Sequence, residues 1–154
     1  MDKYLIWCAG FFDGEGSICI PYGKRKGRVG TAAGQYWLQV NVTQNQRAPL
    51  DALKQRFGGR VNVLSQPPDK KLTRPIWRWT IDADKAAAFL REVRPFLRIK
   101  GVVADIGLEF QEKMIRKDGK KHTRWTIGDH SVVFARRAEI KARMEQANRE
   151  GHAI

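Results

Sequence analysis

The stretch Trp7-Cys8-Ala9-Gly10-Phe11-Phe12-Asp13-Gly14-Glu15-Gly16-Ser17 constrains the chain more than any other. Its apolar first half has the composition of a short buried helix, and so short a helix is stable only when packed on several sides. Gly10 and Gly14 lie four apart and would stack on one side of that helix. Each glycine costs a helix about 1 kcal/mol relative to alanine. A close approach of another backbone, such as a second helix, would offset the loss. Gly14 and Gly16 suit the positive-φ geometry of a helix C-terminus or tight turn. Asp13 and Glu15 then fall where the helix dipole disfavours acids. Such a local conflict is tolerated at functional sites, and a metal ion would relieve it.

Charge sets the partner class. Lys and Arg number 29 against 16 Asp and Glu, a formal net charge of +13 over 154 residues. That excess points to a polyanion, nucleic acid before membrane. The length predicts one domain with a genuine core. Cys8 and Cys19 both have apolar neighbours and read as small core residues of a reducing compartment. No apolar run is long enough to span a bilayer and no signal peptide is evident, so a soluble intracellular protein is expected, bacterial or organellar.

The remaining chain alternates strands and helices. Ser17–Tyr22 predicts a strand with Ile18, Ile20 and Tyr22 toward the core and Ser17, Cys19 and Pro21 away. A basic glycine-rich loop over 23–35 follows, with Lys24, Arg25, Lys26, Arg28 and Gln35 as candidate DNA contacts. Tyr36–Thr43 is the clearest strand. Leu38, Val40 and Val42 take one face; Trp37, Gln39, Asn41 and Thr43 take the other, where amides are suited to base edges. Pro49 and Gly58-Gly59 frame a helix with Leu50, Leu53 and Phe57 as its stripe. A strand is expected over 60–66 and a second basic loop over 67–75, carrying Lys70, Lys71 and Arg74. Ile76–Ile81 forms the next strand, with Trp77, Trp79 and Ile81 inward and Arg78 and Thr80 outward; Arg60 joins the same basic face. Asp82 reads as the N-cap of a helix over 83–94, buried through Ala86, Phe89, Leu90 and Val93. Further helices follow over about 101–117, with Val102, Ile106 and Phe110 on one side, and about 129–149, with Arg136, Arg137, Lys141 and Arg143 on a basic face.

The order predicts an α+β fold, αββαββα, with helices on one face of an antiparallel sheet and the other face open for DNA. The halves match in architecture, yet the acidic glycine stretch occurs once. Packing the first helix against a copy of itself would bring two Glu15 carboxylates to a twofold axis, where divalent metal removes their repulsion. Mg²⁺ accepts one or two carboxylates completed by water and phosphate. Lys100, a cation at a helix start, would meet the scissile phosphate. Gln44 and Arg47, at a strand exit, would orient water and contact phosphate. The plain alternatives are surface acids in a turn, a solvated loop and solvated side chains.

Three segments together resemble the LAGLIDADG homing endonucleases: Cys8-Ala9-Gly10-Phe11-Phe12-Asp13-Gly14-Glu15-Gly16, Val42-Thr43-Gln44 with Arg47, and Pro95-Phe96-Leu97-Arg98-Ile99-Lys100. Cys8 and Glu15 depart from the name sequence. The resemblance covers about 4–117, with 129–149 as a C-terminal extension of a single domain, 1–154. It implies a single-motif homodimer joined through Trp7, Gly10, Phe11, Asp13 and Gly14, with sheets in the major groove of a long pseudo-palindromic site. It implies metal at Glu15 and the Gly14 carbonyl, with Asp13 structural. The cofactor would be Mg²⁺, with Mn²⁺ substituting and Ca²⁺ bound without cleavage. Gln44, Arg47 and Lys100 would serve catalysis, and both strands would be cut to leave short 3′ overhangs. Pro21 and Gly23 occupy DNA-facing positions that want long polar side chains, so the first strand is a poor reader. The resemblance also allows an RNA maturase acting on an intron, or a non-catalytic DNA-binding regulator; without it, a basic ribosome-associated module also fits. No membrane partner or small-molecule substrate is expected.

Overall fold

The computed structural model describes residues 2–23, 35–64, 75–112 and 130–151. The elements are α1 (Lys3–Glu15), β1 (Gly16–Cys19), β2 (Tyr22–Gly23), β3 (Gln35–Tyr36), β4 (Gln39–Gln44), α2 (Ala48–Phe57), β5 (Arg60–Val63), β6 (Trp77–Asp82), α3 (Ala83–Val93), a 3-10 turn at Arg94–Phe96, α4 (Gly101–Glu112) and α5 (His130–Arg149). This is the predicted α+β architecture. The main sheet is antiparallel in the order β1-β4-β6-β5, and β2 pairs with β3 in a separate ribbon.

Strand alternation builds the core. Ile18, Val40, Val42, Trp79 and Ile81 are buried on one side of the sheet, with Phe12, Leu50, Leu53, Phe89 and Leu90 from the helices. α1 packs on β4, α2 and α3 on β6, and α4 and α5 on β1. Phe57, Trp79 and Phe12 all approach Phe89 edge-on, a favoured aromatic geometry. The Trp79 indole N–H donates to the Gly58 carbonyl at 2.8 Å. That turn needs glycine: Gly58 and Gly59 have φ of 77° and 87°, and a Cβ on Gly59 would lie 2.3 Å from Ile81. β1 is an edge strand, and α5 covers part of its edge, where Asn148 Nδ2 donates to the Ile18 carbonyl at 3.2 Å. An edge so capped is a poor template for other chains. Among the described residues, no helix is long and apolar enough to cross a membrane.

Several local expectations are corrected. The first strand stops at Cys19, and the chain re-pairs only at Tyr22, beyond Pro21. Tyr22 is consequently exposed and packs on Tyr36 and Phe134 rather than in the core. Gly14 lies inside α1, and neither Gly14 nor Gly16 has positive φ. Gly16 is extended, and a Cβ there would lie 2.1 Å from the Phe12 ring. Close packing, not backbone freedom, demands glycine. In α4 the buried stripe runs through Val103, Ile106, Gly107 and Phe110, leaving Val102 exposed. Trp77 is half-buried at the sheet's end, whereas Thr80, expected outside, is only 5% exposed. Asp82 occupies the N-cap position of α3 without a capping hydrogen bond. Lys141, expected on a basic face open to solvent or DNA backbone, is half-buried, as is Arg137, whose Nε is buried without a hydrogen-bond partner among the described residues.

Candidate nucleic-acid interface

The two acids ending α1 have different environments. Asp13 is 8% exposed. Its carboxylate accepts the backbone N–H groups of Arg98 (2.7 Å), Ile99 (3.1 Å) and Lys100 (2.9 Å), just ahead of α4. An anion at an incoming helix N-terminus is well placed electrostatically. The Lys100 ammonium donates to the Asp13 carbonyl. Burial lowers the Lys100 pKa from the usual lysine value, opposed by Asp13 and Glu15. Lys100 is thus held at the end of α1 beside both acids.

Glu15 is exposed and makes no hydrogen bond or ion pair among the described residues. The Phe12 carbonyl accepts the Gly16 N–H and the Asp13 carbonyl accepts Lys100. The Gly14 carbonyl belongs to the last helical turn, whose carbonyls lack partners within the helix. Among the described residues, this end of α1 therefore offers one free carboxylate and a backbone carbonyl. No cluster of three or more His, Cys, Asp or Glu that could hold a metal lies among the described residues. This small oxygen-only set fits Mg²⁺, which retains waters and accepts substrate phosphate oxygens.

Register joins the other candidates to this end. Gly16 pairs with Val42, so Gln44, two residues past Val42, lies at the sheet end where α1 finishes. Gln44 pairs with Trp77, and the Arg47 guanidinium lies over the Trp77 ring, 4.7 Å from its centroid. Arg47 also pairs with Asp51 at 3.0 Å, with both side chains about half exposed. Such a surface pair is worth about 0.5 kcal/mol and yields readily to a phosphate.

The exposed side of α1 carries Ile6, Trp7, Gly10 and Gly14. Phe11, half-buried, stacks on Trp7 with centroids 5.4 Å apart. A Cβ on Gly10 or Gly14 would meet nothing within 4 Å, so the space above both glycines is open. Asp13, expected at the same interface, turns inward to its own chain. Ile6 escaped the sequence reading because an apolar helix announces no single face.

The open side of the sheet carries Gln39, Asn41 and Thr43 on β4, Arg78, Thr80 and Asp82 on β6, and Arg60 and Asn62 on β5. Thr80 Oγ1 donates to Asn41 Oδ1 (2.8 Å), Asn41 Nδ2 to Gln39 Oε1 (3.3 Å), and Gln39 Nε2 to Asp82 Oδ1 (2.9 Å). Arg60 Nη1 meets Asp82 Oδ2 at 2.8 Å, and Arg78 Nε donates to Thr43 Oγ1 at 3.3 Å. Trp37 and Gln35 are half-buried near the β2–β3 ribbon. Lys24, Arg25, Lys26, Arg28, Lys70, Lys71 and Arg74 lie outside the described residues. Asp82 and Asn62 were missed. The signal in the sequence is parity, of Asp82 with Arg78 and Thr80 and of Asn62 with Arg60, but Asp82 also reads as a helix cap.

A sequence profile for the LAGLIDADG endonuclease family matches residues 8–88. No curated protein matches the chain. Among solved structures, the fold is similar to the homing endonuclease I-CvuI in complex with its target in the presence of calcium, at 18% identity and a TM-score of 0.68, covering 93% of this chain and 80% of that one. It is similar to the archaeal intron-encoded homing endonuclease I-Vdi141I complexed with DNA, at 17% identity and TM-score 0.66, covering 93% and 82%. I-GzeII in complex with a DNA target is 15% identical with TM-score 0.62; the match covers 92% of this chain but 44% of that one.

Proposed function

Because the chain belongs to the LAGLIDADG endonuclease family, we propose that it is a site-specific homing endonuclease: a homodimer that makes a divalent-metal-dependent double-strand break in a long pseudo-palindromic DNA target. The observation that carries this reading is the end of α1. There the Glu15 carboxylate, without a hydrogen-bond partner among the described residues, lies beside Lys100, on a helix whose open side presents Gly10 and Gly14.

Two copies of α1, packed through Trp7, Gly10, Phe11 and Gly14, bring two Glu15 side chains to one axis. The length relation to I-GzeII supports this assembly, since a second copy of this fold would account for the remaining length. Glu15 and the Gly14 carbonyl would hold Mg²⁺, or Mn²⁺ in its place, and Ca²⁺ would occupy the same oxygens without supporting cleavage. The metal, when bound, supplies Lewis acidity at the scissile phosphate. Gln44 orients the attacking water. Lys100 and Arg47 bring positive charge to the phosphate as negative charge builds on it. Cleavage of both strands leaves short 3′ overhangs. The open sheet faces the DNA in the major groove; that solved structures of this fold are complexed with DNA supports DNA as the ligand.

The test is incubation with Mg²⁺ and duplex DNA carrying the sequence formed when a host intron is removed. We expect double-strand cutting. Glu15→Gln should lower the rate by about 10²-fold or more while binding persists. Tight binding of the cognate duplex by the wild-type chain, without cutting in Mg²⁺ or Mn²⁺, overturns the enzymatic reading.

A further inference from the structure

We infer that Asp82 is a positioning residue for base recognition: it holds the Arg60 guanidinium as a fixed reader of guanine on the open face of the sheet. The inference rests on the DNA-binding reading above. Arg60 lies on edge strand β5 and is 53% exposed. One of its nitrogens is fixed on Asp82, and its remaining N–H groups make no hydrogen bond among the described residues. A guanidinium held at one corner presents its outer donors in a set direction, the geometry that guanine O6 and N7 require.

The rest of the face supports Asp82 rather than competing with Arg60. A carboxylate can only accept, so Gln39 must turn its Nε2 to Asp82. Gln39 Oε1 then accepts from Asn41, and Asn41 Oδ1 accepts from Thr80. The charge on Asp82 sets the direction of the whole row. Asn41, 8% exposed, and Thr80 are largely covered by this row. Gln39 has both ends of its amide engaged, which removes it from two-point contact with adenine.

Helix capping does not account for Asp82. Aspartate is among the best N-caps, yet this one makes no capping bond. The next residue, Ala83, has φ of 52°, a strained value for alanine, while its N–H donates to the Leu38 carbonyl at 2.8 Å. The chain enters α3 at a cost, with the acid directed to the open face. An acid facing DNA repels phosphate, so stronger overall binding cannot be its purpose; selectivity can.

The test is selection from a duplex library randomised across the target length, using the full chain. Wild type should prefer guanine at one position per half-site by roughly 10- to 100-fold. Asp82→Asn and Arg60→Lys should each cut that preference, at that same position, to about threefold or less. The double variant should lose no more than either single one. Arg60→Lys retains the charge and the Asp82 partner, so it tests the idea even where Asp82→Asn fails to fold. Unchanged preferences in both variants, or a loss spread evenly over all positions, overturn the inference while leaving the DNA-binding reading intact. A wild-type chain that selects no sequence overturns both.

Discussion

Asp13 and Glu15 are two residues apart and chemically alike, yet the fold gives them opposite environments. Asp13 is buried and accepts three backbone N–H groups; Glu15 is exposed with no hydrogen-bond partner among the described residues. Removing the Asp13 carboxylate takes the acceptor from three part-buried N–H groups at once. Asp13→Ala should lower the unfolding free energy by about 3–5 kcal/mol, measured by urea denaturation. Asp13→Asn should recover part of the loss, because it retains one oxygen acceptor without the charge. Glu15→Gln should change stability by about 0.5 kcal/mol or less in the same assay. The sequence marked both acids as misplaced against the helix dipole. It could not reveal which is structurally held, because the amides that hold Asp13 come from residues 98–100, beyond any local pattern.

At the scale of elements, α1 uses its glycines in two ways. A Cβ on Gly16 would lie 2.1 Å from a buried Phe12 ring, whereas one on Gly10 meets nothing within 4 Å. Gly16→Ala should therefore destabilise the chain by about 3 kcal/mol through overpacking. Gly10→Ala should stabilise the isolated subunit by up to about 1 kcal/mol through helix propensity. If α1 meets its copy there, Gly10→Ala should also weaken self-association. Thermal melts and sedimentation equilibrium over a range of concentrations separate the two effects. Much of the fold was legible where a period was unambiguous: Leu38, Val40 and Val42 alternate cleanly, and Trp79 and Ile81 follow suit. It was less legible where the pattern was degenerate. Val102-Val103-Ala104 is apolar at three consecutive positions, so α4 could be phased only by what packs on it. Pro21 interrupted a strand whose alternation ran on in the sequence and so put Tyr22 on the wrong side. The site was legible as types of residue near one sheet end, but the row from Thr80 to Asp82 depends on cross-strand register, which sequence periodicity does not supply.

The whole molecule combines a +13 charge with an open sheet face whose polar groups largely engage one another. Affinity should therefore come mainly from phosphate contacts and selectivity from a few fixed side chains. For a dimer neutralising about six or more phosphates, raising salt from about 50 to 200 mM should weaken DNA binding by about 10³-fold. A filter-binding or anisotropy titration checks the slope; a flat response would contradict a phosphate-dominated interface. The amides that anchor Asp13 lie 85 to 87 residues further along. Closing so long a loop is slow and precedes any gain from the contact. During synthesis, the Asp13 carboxylate therefore lacks its three amide donors until residue 100 has been added. A chain released earlier carries Glu15 without its anchored neighbour or Lys100. Premature termination before residue 100 thus leaves the end of α1 without the amides and the ammonium that hold it in the full chain.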